Sequence, residues 1–100
     1  MEQSVTEREL YEKKMRAQLD EWKAELAKIK AQTEGASADA QLTWKREMEE
    51  LEREIEQGEQ RLEELGEASG DAWESVKQGA ESAWASLSSG FRKASERLKG

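Results

Sequence analysis

Apolar side chains recur along this chain in steps of three and four, and the rhythm is broken twice by clusters of glycine, serine and alanine. Met15, Trp22 and Ile29 lie seven apart with Leu19 and Leu26 interleaved, a heptad seam that continues weakly through Thr33 and Ala36. A second series starts at Trp44 and passes through Met48, Leu51, Ile55, Gly58, Leu62 and Leu65. Ala, Glu, Lys, Arg, Gln and Leu fill the positions between, and proline is absent. Both facts favour helix.

The two interruptions predict connections. "TEGASAD" (33–39) offers Gly35 as a terminator, with Ser37 or Asp39 as the next N-cap. "GEASGDAWE" (66–74) offers Gly66 and Gly70 as stops, followed by Asp71 as a cap with Glu74 three residues on, a capping-box arrangement. Helices are therefore expected at about 4–33, 38–65 and 71–98, each roughly 42 Å long. Equal lengths and short connections favour antiparallel neighbours. Folding about Gly35 sets Trp22 near Leu51 and Leu26 near Met48. The apolar spacing keeps step across both connections, so a helix running straight through is the alternative.

The last segment follows a different period. Trp73, Val76, Ala80, Trp84, Leu87, Phe91, Ala94 and Leu98 map largely onto themselves when shifted by eleven. Eleven residues make three turns plus about 20°, so both tryptophans share one slowly drifting face. Between Glu81 and Arg92 there is no charge. Ser82, Ser86, Ser88 and Ser89, with Gly79 and Gly90, occupy the positions where a surface helix carries Glu and Lys. Either small residues admit a close neighbour here, or this helix is the adaptable part of the molecule.

Composition narrows the chemistry. The 100 residues hold 22 large apolar side chains and a formal charge of −7. A core that small makes self-association or a partner an expectation. Residues 1–70 carry 19 acidic and 11 basic side chains, net −8, whereas residues 71–100 carry 4 and 5, net +1. An acidic body repels phosphate, so no nucleic-acid partner is expected. Cysteine and histidine are both absent, removing thiol nucleophiles, zinc–thiolate sites and the commonest general base. The longest apolar run, Ala83-Trp84-Ala85, is far short of a membrane span. "MEQSVTEREL" has neither a signal-peptide pattern nor a myristoylation glycine, so a cytoplasmic protein is expected.

The carboxylates of "REMEELEREIEQGEQRLEEL" (46–65) lie along a rod and lack the tight turn of a calcium loop. Glu49–Arg53, Glu9–Lys13 and Glu12–Arg16 have the spacing of helix-surface ion pairs. "GEASGDA" does not have phosphate-loop spacing. Tyr11 is expected to pack, not to catalyse. No catalytic, cofactor-binding or metal site is expected, no cofactor, and no small-molecule substrate. The Trp73, Val76, Trp84, Leu87, Phe91, Leu98 face has three readings. It can be the inner face of a bundle, or an interfacial helix on lipid, or the occupant of a partner's groove. Arg92, Lys93, Arg97 and Lys99 at its end suit anionic lipid, and suit equally the negative end of the helix macrodipole.

"YEKKMRAQLDEWKAELAKIKAQ" (11–32), "DAQLTWKREMEELEREIEQGEQRLEEL" (39–65) and "EASGDAWESVKQGAESAWASLSSGFRKASERLK" (67–99) resemble, in order and spacing, a family of small bacterial coiled-coil stress-response proteins of unassigned biochemical role. "AQLDEW" (17–22) and "SGDAWE…GAESAW" (69–84) are the most specific stretches. The resemblance implies a helical, non-enzymatic protein and supplies no catalytic residues. "ASLSSGF" (85–91) departs from the charged pattern usual in that family. The eleven-residue period is also similar to that of apolipoprotein-type and desiccation-protection helices, a generic likeness.

The expected molecule is all-α: an elongated antiparallel hairpin or three-helix bundle with coiled-coil packing. Residues 1–66 would form an acidic hairpin with Met15, Leu19, Trp22, Leu26, Ile29, Trp44, Met48, Leu51, Ile55, Leu62 and Leu65 in its seam. Residues 67–100 would add an amphipathic third helix. The expected role is a non-catalytic interaction or protective one, with self-association or another protein as partner. A peripheral lipid-surface binder is the alternative, and a structural subunit of a larger assembly the third reading.

Overall fold

The computed structural model describes residues 6–99 as three long helices: α1 (Glu7–Glu34), α2 (Ala38–Glu67) and α3 (Gly70–Lys99). No strand occurs among the described residues. The helices run up, down and up as a rod 57 × 24 × 18 Å. Both expected connections are present, so the uninterrupted helix does not form.

Each helix start has a local cause. Thr6 closes a capping box: its hydroxyl accepts from Glu9 N at 3.1 Å, and Glu9 Oε1 accepts from Thr6 N at 3.2 Å. The expected start near residue 4 lies outside the described residues, as do residues 1–5 of the stretch (1–10) read for a leader. Ser37 caps α2 through Ala40 N at 3.3 Å. Gln41 then reaches back, donating to the carbonyl of Glu34 at the end of α1 (3.0 Å) and to that of Ala36 in the connection (3.1 Å). Gly35 marks the stop without left-handed backbone, at φ −89°.

The second connection differs from expectation. α2 runs through Gly66 to Glu67, and Gly70 opens α3 instead of closing α2. Asp71 lies inside the first turn. The cap is Ser69, whose hydroxyl accepts from Ala72 N at 3.3 Å while its carbonyl accepts from Trp73 N at 2.9 Å. Gly66 has room around it: a Cβ there would meet only Glu12 Oε1, at 3.2 Å, the mobile end of a side chain.

One core runs the length of the rod. It joins Met15, Leu19, Trp22, Leu26 and Ile29 of α1 to Leu51, Ile55, Leu62 and Leu65 of α2, and to Ala80, Trp84, Leu87, Phe91 and Ala94 of α3. Ile29, Leu65 and Leu87 are sealed from solvent. Thr33 is buried too, its hydroxyl donating to Lys30 O at 3.0 Å. α2 lies close against both neighbours, whereas α1 and α3 meet chiefly through their rings.

Side-chain contacts between α1 and α2 fall one to about two turns further along α2 than the fold about Gly35 suggests. Leu19 reaches the Gly58 position, Lys30 pairs with Glu52 at 3.3 Å, and the Thr33 hydroxyl meets Met48 Sδ at 3.8 Å. Helical side chains lean toward their own N-terminus, so contacts across an antiparallel pair join residues at staggered heights.

Candidate interaction surface

The face singled out on the last helix turns inward. Trp84, Leu87 and Phe91 are buried, Trp73 and Val76 are half-buried against the core, and Leu98 alone of the six stands 37% exposed. Small residues on α3 and α2 admit this packing. A Cβ at Gly58 would meet Leu87 Cδ1 at 3.2 Å, with Leu19 Cδ1 and Trp84 Cζ3 both at 3.3 Å. A Cβ at Gly90 would meet Leu51 Cδ2 and Glu54 Oε1, both at 3.1 Å. Of the two explanations for the glycines in α3, close helix contact therefore accounts for Gly90.

Aromatic pairs bridge α1 and α3. Tyr11 meets Trp73 edge-on at 5.7 Å between centroids, and Trp22 meets Trp84 at 6.0 Å and stacks on Phe91 at 6.1 Å with 6° between planes. Tyr11 and Trp22 stand eleven residues apart, as do Trp73 and Trp84. Equal spacing on two parallel helices carries both pairs in register. The α1 half of this match is written in the sequence, as a lone tyrosine eleven positions before a tryptophan.

At the lower end Arg8 is the central group. Its guanidinium donates to Leu65 O at 3.0 Å and to Ala68 O, takes up Glu12 at 3.7 Å, and lies 5.6 Å over the Trp73 ring. Three roles meet there: a cap for the last carbonyls of α2, an ion pair and a cation–π contact. Lys77 Nζ sits 4.9 Å from the Tyr11 centroid and 5.3 Å from that of Trp73. Burial pushes the Tyr11 phenol up to about 12, and the carboxylates of Glu81 and Glu74 act in the same sense. The buried Tyr11 Oη, Trp73 Nε1 and Trp84 Nε1 make no hydrogen bond among the described residues.

The surface carboxylates pair differently from expectation. Glu12 takes Arg8 instead of Arg16, and none of the ion pairs found joins Glu9 to Lys13 or Glu49 to Arg53. Three of the pairs cross between helices: Lys23–Glu59, Lys30–Glu52 and Arg97–Glu47. Glu47, Glu52 and Glu59 of α2 thus face cations on its neighbours, while Glu64 pairs with Arg61 on its own helix. Glu54, half-buried beside Gly90, has its carboxyl raised above the usual range by burial first and by Glu50 second. Among the described residues no cluster of three or more acidic side chains could hold a metal ion, and no helix is long and apolar enough to cross a membrane.

An open cleft of about 920 Å³ lies at the upper end, between the end of α1 and the start of α2. Lys30, Thr33 and Glu34 form one wall; Ala38, Gln41, Leu42, Lys45, Met48, Glu49 and Glu52 form the other. Leu42 is 69% exposed, the most exposed large apolar side chain among those described. Nothing in the apolar stripes marks it, because it falls two residues before Trp44 and so on the opposite side of α2. Its signal is that mismatch: a leucine out of phase with its own helix. Trp44 and Met48, expected in the seam, are only half-buried at this end, while the other nine seam residues lie in the core. Compared with protein-family models, curated proteins and solved structures, the chain matches none.

Proposed function

We propose that this is a non-catalytic helical protein with an interaction or protective role of the stress-response kind, acting in the cytoplasm through the outside of a closed bundle. What supports it is the fate of the apolar stripes. All three face one another, with Trp84, Leu87 and Phe91 of α3 buried against α1 and α2. A charged exterior and the open cleft at the upper end are left as working surface. The resemblance of residues 11–32, 39–65 and 67–99 to coiled-coil stress-response proteins supports the protective sense. The partner is another copy of the chain or another protein.

The lipid-surface alternative requires α3 to leave the hairpin, because its tryptophan face is occupied. Tryptophan emission with and without neutral and anionic vesicles separates the two. Emission already blue-shifted in buffer and unchanged by either vesicle is expected. Red emission in buffer that shifts blue on anionic vesicles refutes the closed-bundle reading and favours the lipid one.

A further inference from the structure

The cleft at the upper end has features that point to one occupant. We infer that it is the contact face for a second copy of this chain, in a two-fold arrangement centred on Leu42. This rests on the reading of the protein as an interaction module and names the surface it uses.

Three observations carry it. Leu42 stands on the rim of the cleft with 69% of its surface exposed, and Ala38 and Met48 are the other apolar side chains of the lining. The same patch thus presents both a protruding leucine and an apolar hollow, which is what an isologous contact needs, since each copy supplies knob and hole at once. The charges are self-complementary as well. Lys45 follows Leu42 by about one turn of α2, whereas Glu34, whose carbonyl accepts from Gln41 Nε2 at 3.0 Å, closes α1 on the facing wall at the other side of Leu42. Neither has an ion-pair partner among the described residues. An antiparallel two-fold placed at Leu42 brings Lys45 of each copy over the Glu34 end of the other. A nucleic acid or an anionic surface would offer negative charge to Lys45 but no cation to Glu34, whereas a second copy supplies both. Lys30 is also already engaged by Glu52 at 3.3 Å.

Sedimentation of the full chain across a wide concentration range tests this, with helix content followed by circular dichroism. A concentration-dependent dimer is expected. Leu42→Glu should weaken it by at least about tenfold without loss of helix, because the side chain is exposed. Leu10→Glu, at a 54% exposed leucine at the opposite end of the rod, should leave it unchanged. Lys45→Glu and Glu34→Lys should each associate poorly alone and recover association when mixed. A chain that stays monomeric at every concentration overturns the inference. So does a dimer that Leu42→Glu leaves intact, or one that Leu10→Glu weakens equally. None of these results changes the tryptophan emission that tests the closed-bundle reading, so the two fail separately.

Discussion

Replacing Gly58 by alanine sets two opposed effects against each other, and the geometry decides between them. In a helix interior alanine is favoured over glycine by about 1 kcal/mol. The added methyl would meet Leu87, Leu19 and Trp84 at 3.2–3.3 Å, from two different helices at once. Relief on one side presses the methyl into the other, so the overpacking cost of about 1–3 kcal/mol applies. The net expectation is a loss of about 0–2 kcal/mol. Gly79 is the internal control. A Cβ there finds nothing closer than the Arg61 guanidinium at 3.9 Å, so Gly79→Ala should gain close to the full propensity difference, about 1 kcal/mol. The two variants should thus differ by about 1–3 kcal/mol, or at least about 4 °C in midpoint for a chain of this size. Urea and thermal unfolding, followed by tryptophan emission and by far-ultraviolet dichroism, measure it. A Leu87→Ala background should make Gly58→Ala less costly, a positive coupling between contacting sites. If Gly58→Ala stabilises as much as Gly79→Ala, the three helices do not converge at Gly58 and the packing described here is wrong.

Two further outcomes follow from the same contacts. Trp84→Ala should cost about 3–5 kcal/mol by leaving a ring-sized cavity beside Trp22 and Gly58; an unchanged unfolding midpoint would exclude Trp84 from the core. Tyr11 is the only tyrosine in the chain, so its phenolate absorbance titrates alone. Its phenol is held at about 12 in the folded state, above the ordinary 10.0, so the folded form binds that proton more tightly. Stability from this group is complete below pH 10 and is lost as the pH rises through about 12. Tyr11→Phe should remove that part of the alkaline decline. A wild-type phenol titrating at its ordinary value would refute the burial.

The fold was legible because its main determinant is periodic. Three amphipathic segments, two glycine- and serine-containing connections and no proline leave few arrangements open. What the pattern could not supply was long-range. Both Ser69 and Asp71 are good caps by residue type, yet the helix starts behind Ser69 while Arg8 binds Ala68 O from 60 residues away. Local spacing also favoured Glu12–Arg16, but Arg8 competes for the same carboxylate. The inward turn of the α3 face was one of several readings, because an apolar stripe states its width and not its occupant. Leu42 escaped altogether. Periodicity searches reward residues that keep the beat, and this one matters by missing it.

The central position of α2 bears on how the chain reaches this state. α1 and α3 both pack on α2 through connections of three and two residues (35–37 and 68–69). Each hairpin can therefore zip up on its own at little loop-closure entropy. The ring contacts between α1 and α3 join residues far apart in sequence, so they form last, whichever hairpin leads. Folding has two entrances to one end state. A lesion at either connection should divert the flow of molecules through the other, slowing assembly instead of blocking it.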